Sequence, residues 1–137
     1  MHSLRQRINA RDESGFTLIE LLVVLIIIGV LLAIAVPSYL GFKDRAEAKA
    51  AAADVRSAIP DAEAYLSDLG NYTNMTATAG DAPDAGGLKG IDSGLSSAVS
   101  VPTHTATGYC IQATVNTHTS HVVGPGGSVV ADNGPCP

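Results

Sequence analysis

Three hydrophobic rhythms follow one another along the chain, and each predicts a different element. From Phe16 to Leu40 nearly every position is apolar, with Thr17, Glu20 and Ser38 as the polar interruptions. A helix that is apolar on all sides belongs in a buried or lipid medium rather than on the surface of a small globular core. The stretch from Phe16 to Val36 makes roughly 31 Å of helix at about 1.5 Å per residue, long enough to span a bilayer. Gly29 and Pro37 interrupt it. Pro37 lacks the N–H that would bond to Ala33, so a kink is expected there, with Ser38 close by to satisfy freed backbone groups. Past Leu40 the period becomes amphipathic. Ala48, Ala52, Val55, Ile59, Ala62, Leu66 and Leu69 share one face, while Lys43, Arg45, Glu47, Lys49, Asp54, Arg56, Asp61 and Asp68 occupy the other, read as solvated. Pro60 is expected to bend or restart this helix, and Gly70 to stop it, giving a helix over 41–69.

Residues 71–108 hold 18 Gly, Pro, Ser or Thr among 38, which predicts a long loop with at most a short extended piece at Val99-Ser100-Val101. From Tyr109 the period falls to two. Tyr109, Ile111, Ala113 and Val115 alternate with Cys110, Gln112, Thr114 and Asn116, the pattern of a half-buried strand. A second strand follows around Ser120 to Val123. Gly124-Pro125-Gly126-Gly127 then signals a turn into a partner strand at Ser128-Val129-Val130-Ala131, making a three-stranded antiparallel meander over 109–137. So small a sheet needs a cover, and the stripe from Val55 to Leu69 is the sizeable apolar face able to supply it. The fold class is therefore α+β: a long N-terminal helix, with one half membrane-spanning and one half amphipathic, packed on a small C-terminal antiparallel sheet.

Composition refines this picture. At 137 residues, 46% hydrophobic but without Trp, the chain suits one small domain whose core outside the apolar run is thin. Arg5, Arg7 and Arg11 precede the run, so by the positive-inside rule the N-terminus stays in the cytoplasm and everything after Leu40 lies outside. The net charge is −5, and Lys89 is the single basic residue after Arg56, which argues against direct nucleic-acid contact. Glu20 is the anomaly, because a carboxylate at the centre of a membrane helix costs about 2.5–3.5 kcal/mol, less near an interface.

The string Gly15-Phe16-Thr17-Leu18-Ile19-Glu20, preceded by a polar basic leader and followed by a long aliphatic helix with Pro37, closely resembles the signature of type IV prepilins and type II secretion pseudopilins. The resemblance implies a leader over 1–15 and a transmembrane and assembly helix over 16–40. It also implies an extracytoplasmic head over 41–137, with a helix at 41–69, a loop at 71–108 and a meander at 109–137. A membrane prepilin peptidase would cut between Gly15 and Phe16 and methylate the new amine of Phe16, leaving a mature chain with a net charge of about −6. Glu20 would then meet a neighbouring subunit's Phe16 amine and set the register of assembly. The stretch between Gly29 and Pro37 can unwind in filaments of that family. The partners so implied are other pilin subunits in a homo-polymer, the peptidase, an inner-membrane assembly platform and the membrane itself.

Cys110 and Cys136 both fall outside the membrane, where disulfides persist, and a bridge is expected between them. The rival, a metal site using His104, His118 or His121, is poorly supported, because strand alternation sends His118 and His121 to opposite faces and the cysteines are far apart in sequence. No metal, cofactor or catalytic constellation is expected. Two functions remain, a subunit of a surface filament and a pseudopilin of a secretion or DNA-uptake machine. Major pseudopilins usually carry a carboxylate cluster for calcium in the C-terminal loop and lack a disulfide, whereas here Asp132 stands alone before Cys136, which favours the filament.

Overall fold

The computed structural model describes residues 15–78 and 87–137, so the expected leader, apart from Gly15, lies outside the described residues. The chain divides into two compact units, one ending at Leu40 and one running Gly41–Pro137. A single helix, α1, extends Leu18–Leu69 through Gly29, Pro37 and Pro60 without a break in its assignment. No second helix starts at Pro60. The carbonyl that Pro60 leaves without a donor belongs to Arg56, and both residues are exposed to solvent, where the missing bond costs little and the helix carries on. α1 ends where Gly70 takes a left-handed φ of 73° and its N–H closes onto the Leu66 carbonyl at 2.7 Å, a conformation that glycine adopts without strain.

In the first unit every residue of α1 is exposed, and the helix is long and apolar enough to cross a membrane, with a mean hydropathy of 3.2 over its most apolar window. In the second unit α1 buries Ala51, Val55, Ala58, Ala62 and Tyr65 completely. These mostly small side chains and the ring of Tyr65 pack into one cluster with residues of the sheet. Tyr72, Met75, Leu88, Ile111 and Val122 complete this core. Each large apolar side chain so buried contributes about 1.5–3 kcal/mol.

The sheet is antiparallel with three strands, in the order β1 (Val99–His104), β2 (Tyr109–Val115) and β3 (His118–Gly124). Its membership corrects the reading from sequence. The region assigned to loop contains a short helix, α2 (Leu88–Ile91), and the whole of edge strand β1. Pro102, which cannot donate to a ladder, sits where the β1–β2 register shifts between Ser100 and Thr103, a position that an edge strand tolerates. Ser128–Ala131, expected as the third strand, reduces to one bridge between His121 and Val130 after the cis Gly124–Pro125 bond. In β2 Tyr109, Ile111 and Ala113 are buried as expected, but Cys110, expected on the polar face, is buried too and Val115 is only half-buried. Asp61, assigned to the solvated face of α1, is instead buried at 8% exposure.

Candidate functional site

The Gly15–Phe16 junction stands at the head of α1, with Phe16 85% exposed. A Cβ placed on Gly15 would meet nothing within 4 Å, so packing does not require glycine there. Thr17 is the residue before the helix and Glu20 is the third within it, and together they form a reciprocal cap. The Glu20 N–H donates to Thr17 Oγ1 at 3.3 Å, while the Thr17 N–H and hydroxyl donate to Glu20 Oε2 at 2.9 and 2.6 Å. This Thr-x-x-Glu arrangement satisfies donors that the first helical turn leaves unpaired, and it puts a negative charge at the positive end of the helix dipole. Glu20 thus occupies the first turn of the helix rather than its middle. The spacing from Thr17 to Glu20 carries the signal for this cap, while the apolar run around Glu20 masks it. The second oxygen, Oε1, accepts no hydrogen bond among the described residues, so one carboxylate can cap its own helix and still receive a further donor.

Gly29 and Pro37 both lie on the exposed apolar part of α1, in helical conformation. At the other end of the chain Cys110 and Cys136 are bridged, with Cα atoms 5.9 Å apart, which ties the C-terminal segment to β2. The Cys136 N–H also donates to Gln112 Oε1 at 3.1 Å, one residue pair along the same face of β2. The histidines separate as alternation requires. His118 Nε2 lies 2.8 Å from Asp44 Oδ1, whereas His121 Nδ1 lies 3.2 Å from the Gly134 carbonyl. Among the described residues no group of three or more His, Cys, Asp or Glu is arranged to hold a metal ion.

Two polar clusters in the head had no sequence signal short of the fold itself. At the β2–β3 turn, where Asn116 adopts a φ of 53°, Asn116 Nδ2 donates to Glu47 Oε1 at 2.7 Å, and Lys43 Nζ lies 3.1 Å from the same oxygen. The Lys43 bond first, with the Asn116 bond beside it, holds the Glu47 carboxyl below the usual range. Together with His118 and Asp44 this clamps the turn onto the first helical turns of the head. In the second cluster Glu63 Oε1 accepts from the hydroxyls of Tyr72 and Tyr109, each at 3.3 Å, and the two rings meet edge to face at 4.8 Å. Burial, followed by the Glu63 charge, pushes both phenols up, so they stay protonated and donate.

A capped apolar helix behind a Gly–Phe junction thus leads into an α+β head of pilin-like fold. Residues 10–36 match the family described as the prokaryotic N-terminal methylation motif. The chain is 34% identical over 84 residues to the type IV major pilin protein PilA of Myxococcus xanthus, covering 61% of this chain and 38% of that protein. It is 36% identical over 62 residues to the type II secretion system core protein G of Aeromonas hydrophila, covering 45% and 43%. It is also 39% identical over 67 residues to the type IV wide pilus major component PilA4 of Thermus thermophilus, covering 49% and 51%. The matched region thus spans between 38% and 51% of the length of these curated relatives. No solved structure matches the chain.

Proposed function

We propose that the chain is a structural subunit of a type IV pilus-like surface filament, held in the cytoplasmic membrane through residues 16–40 until it polymerises through that helix. The observation that carries this reading is that α1 exposes its large apolar side chains from Leu18 to Leu40, interrupted by Glu20 and Ser38, behind a methylation motif. A prepilin peptidase cuts between Gly15 and Phe16 and methylates Phe16. The requirement for Gly15 then lies in the peptidase's recognition, in keeping with the open space around that residue. Glu20 Oε1 receives the Phe16 amine of a neighbouring subunit while Oε2 keeps its own helix capped. An inner-membrane assembly platform drives addition, and the acidic head faces outward.

The second reading, a pseudopilin of a type II secretion or DNA-uptake machine, is favoured by the similarity to core protein G. Against it, the Asp132 carboxylate is engaged in its own turn by the Gly134 N–H at 2.9 Å, and the C-terminal segment is tied by a disulfide instead. The test is to compare sheared surface filaments and protein secretion in cells with and without the gene, with intact-mass measurement of the subunit. Filaments containing a subunit that begins at methylated Phe16 support the proposal. Loss of secretion with no filament at any expression level selects the pseudopilin, and a mature N-terminus elsewhere removes both.

A further inference from the structure

Two Asn-x-Thr triplets stand in tandem just beyond α1, Asn71-Tyr72-Thr73 and Asn74-Met75-Thr76. This triplet is the acceptor pattern for transfer of a glycan to an asparagine amide, which requires a surface position on the exported side of a membrane. The geometry separates the two. Asn71 is consumed by the end of the helix, since its Nδ2 donates to the Leu69 carbonyl at 3.3 Å and its Oδ1 accepts the Thr73 N–H at 2.8 Å. Asn74 stands at the corner of a turn closed by the Met75 N–H onto the Tyr72 carbonyl at 3.1 Å, with a φ of 68° that asparagine tolerates better than most residues. The flanking Tyr72 and Met75 are 1% and 0% exposed, so the turn is anchored at both ends while its corner is held out in solvent. Among the described residues the Asn74 carboxamide makes no hydrogen bond. Thr76 is half-buried, and its Oγ1 donates to the Thr78 carbonyl at 3.3 Å.

We propose that Asn74 is a glycosylation acceptor, taking an oligosaccharide from a lipid-diphosphate-linked donor. Asn74 Nδ2 attacks the anomeric carbon and a C–N bond forms. The C–O bond to the diphosphate breaks, the lipid diphosphate leaves with the electron pair, and a proton passes from Nδ2 to a base of the transferase. No oxidation or reduction is involved. The inference rests on the extracytoplasmic placement of the head in the reading above.

The experiment is intact-mass and peptide-level mass spectrometry of the full chain purified from its own host. The expected result is a mass excess over the polypeptide, located on Asn74. T76A keeps Asn74 and its turn but destroys the triplet, and it should lose the whole excess, as should N74Q. T73A destroys only the first triplet and should keep it. A polypeptide mass without excess, an excess that survives T76A, or a glycan on Asn71 overturns the proposal. The same spectrum reads the N-terminus. A chain starting at Phe16 without a glycan sinks this inference alone, whereas an uncut chain glycosylated at Asn74 sinks the filament reading alone.

Discussion

The two ends of α1 are one helix by hydrogen bonding and two different objects by packing. Between Leu18 and Leu40 the large apolar side chains remain from 46% to 81% exposed, while Ala51, Val55, Ala58, Ala62 and Tyr65 are at 0%. The first end is left uncovered by the described residues, and its polar device among them is the Thr17–Glu20 cap. The second end is completed internally by the sheet. Substitutions at the first end should change assembly and leave the fold of the head intact, and substitutions at the second should do the reverse.

The strongest test of that division is Glu20→Ala set beside Thr17→Ala. Both damage the cap, worth about 1 kcal/mol. Only Glu20→Ala also removes the group expected to meet a buried amine, and an unpaired buried charge costs about 3–5 kcal/mol. The expected outcome is that both proteins insert and are cleaved, that Thr17→Ala still yields filaments and that Glu20→Ala yields few or none in cells lacking a wild-type copy. Equal filament yields from the two variants would reduce Glu20 to a helix cap.

At the other end the largest effect should come from the disulfide. A closed loop of 27 residues, from the separation of 26 between Cys110 and Cys136, corresponds to about 3.5 kcal/mol of chain entropy. Cys110→Ser and Cys136→Ser should lower thermal stability of the detergent-solubilised chain by the same amount without altering insertion or cleavage. Unequal losses would show that one cysteine has a role in packing beyond the bridge.

The same contrast governs what could be read from sequence. The apolar helix and its junction were legible because hydropathy and a local motif specify them residue by residue, and β2 was legible because Tyr109, Ile111 and Ala113 recur at every second position. β1 was hidden among Gly, Ser and Thr because it lacks the clean alternation of large apolar residues, and its Pro102 reads as a strand breaker wherever the strand is not at an edge. Ser128–Ala131 looked more like a strand than β1 does, yet the turn before it leaves only Val130 within bonding reach of β3. The Thr17–Glu20 cap was legible in principle from its spacing. The clamp from Asn116 and His118 to Glu47 and Asp44 was not, since it joins residues 69 and 74 positions apart.

A smaller effect belongs to the Glu63 cluster, which holds the ends of α1 and β2 together through two phenols. Glu63→Ala leaves both hydroxyls short of an acceptor and should destabilise the head by about 1–3 kcal/mol, whereas Tyr109→Phe, removing one donor, should cost about 1 kcal/mol. The loss on adding Glu63→Ala to Tyr109→Phe should be less than its loss in the parent, because one of its bonds has already gone. Additive losses in urea titrations would show that the 3.3 Å contact between Glu63 and Tyr109 contributes nothing.

The smallest change expected concerns Asp61, which with Ser120 is one of two places among the described residues where the head buries a side-chain polar atom without a partner. Its Oδ2 is buried without a hydrogen-bond partner among the described residues. Burial, and after it the charge of Asp92, holds this carboxyl above the usual range. The folded chain therefore keeps a proton at pH values where the unfolded chain has released it. Its contribution to stability is complete below the ordinary carboxylate range and is lost as the pH rises through the raised folded value. Asp61→Asn supplies a neutral group of the same shape at every pH, so the two proteins should be similarly stable in acid and diverge on the way to neutrality, with the variant the more stable. The measurement is the difference in denaturation midpoint between the two as a function of pH. A constant difference would mean that Asp61 titrates alike in the folded and unfolded chain. Divergence in the opposite sense would mean that it gains a partner as the carboxylate, and that the two ends of α1 differ less than their burial suggests.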